Sequence, residues 1–196
     1  MINYPNGKKT KSKLHELKKK VNNKSNLGQS LENDVNASNA YYLINNLALV
    51  HKKPTPITVV NVDFPKRAAA KITEAYYQLP STTDYNGIVR GIPIDFEAKQ
   101  TKNKTRLSLS LIHSHQLKHL KSVLNHGGYS FLIIRFVFHS ETYLLPYQLI
   151  HEYISDNDKK SIPYTWIREN GYLIPEKLLI PCDYLSVLNL LLFKGA

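Results

Sequence analysis

The stretch S-T-T-D-Y-N-G-I-V-R-G-I-P-I-D-F-E-A-K, Ser81 to Lys99, decides how this chain is read. Val89 and Ile92 flank the pair Arg90-Gly91, and a two-residue turn with Gly second is a strong hairpin signal. With that turn, Asp84 stands directly across from Glu97. Side chains alternate faces along a strand. One face then collects Tyr85, Val89, Ile92, Ile94, Phe96 and Ala98 and reads as core. The other collects Asp84, Asn86, Asp95, Glu97 and Lys99, with Ile88 and Pro93 nearer the turn.

Opposed side chains on such a pair sit roughly 4.5–5.5 Å apart, and like charges there repel. Carboxylates so close call for a cation, and oxygen ligands suit a hard divalent ion such as magnesium. Lys99, two residues beyond Glu97, shares the acidic face. Two acids, a divalent metal and an ammonium are equipment for hydrolysing a phosphodiester. On spacing alone the same face also suits a solvated edge with salt bridges. A turn at Asn86-Gly87 would give another register.

Several segments carry a family resemblance. Asp84 followed by Glu97-Ala98-Lys99 resembles the D-x(n)-(D/E)-x-K signature of restriction-endonuclease-like enzymes. More narrowly, Ser81–Gly87 and Ile94–Lys99 resemble the RecU family of Holliday junction resolvases. So do Tyr4–Gly7, His51–Pro56, Val60–Asp63 and Pro65–Arg67. The likeness runs from the start to about Gly128 and loosens from Tyr129 onward. It implies an α/β fold: a restriction-endonuclease-like mixed sheet flanked by helices, with a protruding stalk insertion. It implies Asp84, Glu97 and Lys99 as catalytic residues and Thr82, Asp84, Glu97 and Gln116 around a Mg2+ that Mn2+ can replace. It also implies four-way junction DNA as substrate, a homodimer, and contact with a strand-exchange recombinase and a branch-migration helicase.

At 196 residues the chain is long enough for one domain with a sizeable core. A net charge of +11 points to a polyanionic partner. The excess is uneven, since residues 1–24 hold eight Lys and one Glu. Residues 1–28 read as a flexible basic N-terminal arm, too polar to bury a core; residues 29–196 read as the nuclease domain. The single Cys182 excludes an intramolecular disulfide and a Cys-rich zinc site. No apolar run reaches a membrane span and no secretory leader is evident, so a cytoplasmic protein is expected.

Ser30 to about Asn46 reads as a helix capped by Ser30, with Glu32 and Asp34 suiting its positive end; the resemblance to the wider superfamily makes Glu32 a candidate to reach the metal. Leu47 to His51 reads as a strand, and Lys52 after it as a phosphate contact. Pro54 to Pro80 is long for a plain connection; within it Ala68 to Tyr77 reads as helical. Lys66, Arg67 and Lys71 are basic and Tyr77 aromatic, a mixture suited to unstacked or branched nucleic acid. The resemblance makes this segment the stalk at the junction centre. Arg67 offers a bidentate fork to phosphate.

His113 to Asn125 reads as a helix stopped by Gly127-Gly128. His115 and His119 have a zinc spacing, but no third soft ligand lies nearby in sequence. Tyr129 to Phe138 reads as a buried strand in which Arg135 needs a partner. Thr142 to Leu145 is a strand, Pro146 to Ile154 a helix, and Asp183 to Phe193 a Leu-rich helix apolar enough for core and for a dimer surface. This order describes a mixed α/β sheet with helices on both faces. The rival readings are a duplex-cutting nuclease of the same fold and a non-catalytic architectural DNA-binding protein. The latter gains nothing from acids facing a phosphate.

Overall fold

The computed structural model describes residues 30–64, 70–78, 82–155 and 159–193. The basic arm, Lys66 and Arg67 lie outside the described residues. A helix, α1 (Leu31–Ile44), leads into β1 (Leu49–Lys52). Then come β2 (Ile57–Asp63), β3 (Lys71–Tyr77), β4 (Tyr85–Val89) and β5 (Ile92–Thr101). A short β6 (Arg106–Ser108) precedes α2 (Ser114–Asn125), β7 (Tyr129–Phe136) and β8 (Glu141–Pro146). The chain closes with α3 (Tyr147–Ser155), β9 (Ser161–Pro163), α4 (Tyr164–Asn170), β10 (Tyr172–Leu173) and α5 (Tyr184–Phe193).

Six strands form one sheet in the order β1-β4-β5-β7-β8-β10. All neighbours are antiparallel except β5 and β7, which run parallel; α2 lies in the connection between them, as a parallel crossover requires. The expected mixed sheet flanked by helices is what the chain forms.

The β4–β5 hairpin turns at Arg90-Gly91, with Tyr85 facing Phe96 and Val89 facing Ile92. Arg90 (φ 47°) and Gly91 (φ 86°) both take left-handed backbone, the signature of a primed turn that matches strand twist. Gly87 has another duty: a Cβ there would come within 2.2 Å of the Leu49 carbonyl on β1. Asn86-Gly87 is therefore a close strand approach, not the turn.

An aromatic ladder fixes the register. Tyr85 stacks on Phe96 at 4.8 Å, and Phe96 on Phe131 at 4.7 Å. Tyr184 from α5 tilts against both phenylalanines. This cluster joins Leu31, Val35 and Tyr42 of α1 in one core. A second core on the other face holds Leu120 of α2, Leu132 and Ile134 of β7, and Ile150 of α3. A one-residue slip of β5 would exchange Phe96 for the acids beside it.

Arg135 finds its partner in Asp34 of α1 and donates from Nε to Thr142 at 2.9 Å. Ser30 caps α1 as expected, and the Leu31 N–H reaches Gln100 Oε1 at 2.9 Å. That bond ties the helix to β5 one residue past Lys99.

Of the helix expected over 68–77, residues 68 and 69 lie outside the described residues, and Lys71–Tyr77 is instead strand β3, paired among the described residues with β2 alone. Its backbone is satisfied across the hairpin, and its residues are exposed on both faces, so burial writes neither a helical nor a strand period. Pro146 ends β8 rather than starting α3. Trp166, unplaced from sequence, sits on α4 against Tyr153.

Candidate active site

The register turns one face of β5 into a charged site. Glu97 pairs with Leu132 on β7, and its carboxylate is fully buried. Its Oε2 accepts the backbone N–H of Asp84 at 3.0 Å, and its Oε1 accepts from Lys99 Nζ at 2.5 Å. Burial first, then the facing carboxyl of Asp84, push Glu97 up to about 7, against the opposing pull of Lys99. A carboxylate so placed is poised for a positive charge.

Asp84 opens onto a cleft of about 230 Å³ lined by Glu32, Lys52, Lys53, Thr82 and Thr83. Lys52 pairs with Glu32 at 2.5 Å across its mouth. Both side chains are about half exposed, so this pair contributes little stability. Thr82 donates to the Thr83 carbonyl at 3.4 Å.

Gln116 is buried at the start of α2, where its Oε1 accepts the His113 N–H at 2.9 Å and caps the helix. Sequence placed it beside a metal; in the structure its oxygen serves the cap. Ser130, two residues before Leu132, donates to the Leu120 carbonyl at 2.8 Å and fastens α2 to β7. Lys71 and Tyr77 lie on β3, away from the main sheet, with Tyr77 84% exposed.

Asp95 does something spacing did not disclose. Its Oδ2 accepts from Lys53 Nζ at 2.8 Å and lies 3.1 Å from His119 Nε2; its Oδ1 accepts from the Thr83 hydroxyl. Lys53 also donates to Thr83 at 3.1 Å. Of the His115/His119 pair, His119 turns to Asp95. Among the described residues no group of three or more His, Cys, Asp or Glu gathers as metal ligands. Two carboxylates are nonetheless a fitting protein share for magnesium, which keeps waters and takes substrate phosphates.

Asp84, Glu97 and Lys99 thus meet at one place on a mixed sheet flanked by helices. The model for the family "Recombination protein U" (RecU) matches residues 26–190. The chain is 49% identical, over 98% of its length and 100% of the relative's, to Holliday junction resolvase RecU of Oceanobacillus iheyensis. It is 48% identical to the resolvase of the same name from Staphylococcus aureus strain MRSA252, over 97% of this chain and 96% of that one. A solved Holliday junction resolvase from Archaeoglobus fulgidus aligns over 73% of this chain and 93% of that one, at 12% identity and a TM-score of 0.43. This chain belongs to the RecU family.

Proposed function

We propose that this chain is a structure-selective endonuclease that resolves four-way DNA junctions in recombination and repair. The observation that carries this reading is the buried Glu97 carboxylate, facing Asp84 and held by Lys99, in a RecU-family chain. The proposed metal is magnesium, with manganese as a substitute. Asp84 and Glu97 would hold it, with Thr82 at the margin and Gln116 joining once its oxygen leaves the His113 amide. When bound, such a metal supplies a nucleophilic water at neutral pH and offsets transition-state charge. Asp84 and Glu97 orient the cleft's negative charge toward it. Lys99 holds the Glu97 carboxylate in place and presents an ammonium to charge developing on the phosphate.

The substrate's two-fold symmetry suits a homodimer with two sites that nick strands of like polarity, leaving 5′-phosphate and 3′-hydroxyl ends. At the β1 edge of the sheet, Leu49 and Ile88 are paired and exposed, with Ile44 and Leu47 exposed just before Leu49. That edge suits a subunit contact. In this reading the β2–β3 hairpin, with Lys66, Arg67, Lys71 and Tyr77, is the stalk that meets the junction centre. Lys52 and the basic segment 1–28 grip phosphates, and a strand-exchange recombinase and a branch-migration helicase are the proposed protein partners. The proposed site of action is the cytoplasm; no helix among the described residues is long and apolar enough to cross a membrane.

The test is a labelled four-way junction run beside a linear duplex, in magnesium or in chelator. Symmetric nicking of the junction alone, abolished by chelator, is expected. Equal cutting of the duplex would favour a general nuclease of this fold. No cutting with either magnesium or manganese would leave a binding protein.

A further inference from the structure

Asp95 shares the acidic face of β5 with Glu97 and reads from spacing as a second-line metal ligand. Its surroundings argue otherwise. It is buried, and both carboxylate oxygens are engaged by protein groups. A metal there would have to displace an ammonium or a hydroxyl already in place. The donors come from three further parts of the chain: Lys53 after β1, Thr83 before β4, and His119 on α2.

Thr83 is the informative member. It is buried, and its neighbour Asp84 lies just before the β4 ladder begins. The loop has three fixed points. Asp84 donates its N–H to Glu97 at 3.0 Å, the Asp84 carbonyl accepts from the Lys53 N–H at 2.7 Å, and the Thr83 hydroxyl binds Asp95. The first two hold only the backbone of Asp84. The third stops the loop from rolling about its axis, which sets where the Asp84 carboxylate points. Lys53 completes the brace by bonding to Asp95 through its side chain and to the Asp84 carbonyl through its backbone.

We propose that Asp95, with Thr83 and Lys53, is a positioning device that aims the Asp84 carboxylate at Glu97, and that Asp95 does not itself bind the metal. This rests on the nuclease reading for its effect on rate, but the aiming of the loop can be measured without metal or DNA.

The experiment uses the full chain with Thr83→Val, Thr83→Ser, Asp95→Ala and the double variant Thr83→Val/Asp95→Ala. Hydrogen exchange at the Asp84 amide is read without metal or DNA; single-turnover junction cleavage and junction affinity are read beside it. Thr83→Val and Asp95→Ala should each speed Asp84 amide exchange and slow cleavage by about 10²-fold, the scale of a small misplacement of a reacting group. Junction affinity should stay near the wild-type value. The double variant should be no slower than Asp95→Ala, because both changes cut one brace. Thr83→Ser, which keeps the hydroxyl, should restore both readouts.

A Thr83→Val chain that cleaves normally beside an inactive Asp95→Ala would overturn the proposal and make Asp95 a direct ligand. Unchanged Asp84 exchange in both single variants would overturn it as well. If the wild type never cleaves, the nuclease reading fails, and the exchange data alone decide whether the brace aims the loop. Thr83→Val is nearly isosteric, so it keeps the test open should Asp95→Ala fail to fold.

Discussion

The backbone N–H of Asp84 lies 3.0 Å from Glu97 Oε2, so the loop that carries one acid is fastened to the other. The bond exists because the Arg90-Gly91 turn puts these residues across from each other, and it leaves a buried carboxylate facing a second one. Lys99 offsets part of that repulsion. Burial first, and then the facing carboxyl, keep the pKa of Glu97 raised all the same.

Glu97 rises from 4.5 to about 7 on folding. The folded chain therefore holds more protons than the unfolded chain between those pH values. Its stability is greatest below about pH 4.5 as far as this group goes, and is lost as pH climbs through 7. In chelator, the urea midpoint should fall between pH 5 and pH 8 on this account. Glu97→Gln should flatten that slope and raise the midpoint at pH 8, while abolishing cleavage. If magnesium binds the folded site and not the unfolded chain, it should restore much of the wild type's loss at pH 8. An unchanged slope in the Gln variant would remove Glu97 as its cause.

Lys99 is tethered to Glu97 by a single short contact, so its removal leaves the backbone of β5 intact. Lys99→Ala should slow junction cleavage by about 10²–10³-fold with junction affinity nearly unchanged. Lys99→Arg should rescue little, because a planar fork cannot occupy the place of a compact ammonium. Measured binding and single-turnover rates separate these effects.

Gly87 tests the sheet edge. A methyl at this position would drive into the Leu49 carbonyl and Val50 of β1. Gly87→Ala should cost about 1–3 kcal/mol, as overpacking does, read as a lower urea midpoint. Gly91→Ala, where a Cβ meets nothing but φ is +86°, should be destabilising through backbone strain instead.

The hairpin was legible because its alternation, its turn and its acids are all local. Phe96 and Glu97 fall on opposite faces in any strand, and the core face is easily told from the charged one. What lay beyond reach was set by distant pairings. Lys53, Thr83, Asp95 and His119 come from four segments, and nothing local marks Asp95 as held rather than free. The bond from the His113 N–H to Gln116 Oε1 was not foreseen, because His is an uncommon residue at a helix cap. The strand at Lys71–Tyr77 was mistaken for helix because an exposed hairpin leaves no burial pattern to read. Arg135 did announce a need for a partner, but Asp34 lies 101 residues away.

That ion pair gives its own prediction. Asp34 and Arg135 are buried between α1 and β7, and among the described residues Asp34 Oδ1 and Arg135 Nη2 have no further partner. Removing one charge strands the other. Asp34→Ala should cost about 3–5 kcal/mol, whereas Asp34→Leu/Arg135→Met should recover most of that loss. Chemical denaturation of the single and double variants measures the difference. Additive losses would mean the pair is not coupled.

Removing the β2–β3 hairpin should leave the sheet intact. Among the described residues its strands hydrogen-bond to each other and to no strand of the main sheet. At its base the Gln78 N–H reaches the Pro56 carbonyl at 2.9 Å, so two or three glycines can replace residues 57–77. The Lys53 N–H still meets the Asp84 carbonyl at 2.7 Å beneath it, which keeps the acids in register. The shortened chain should therefore unfold at a urea midpoint close to the full chain's. If the hairpin engages the junction centre, junction affinity and cleavage should both fall steeply. Tyr77→Ala should reproduce part of that fall, since stacking on an exposed aromatic ring contributes about 1–3 kcal/mol per base. A shortened chain that still selects junctions over duplex would place the selectivity in the sheet and its cleft instead.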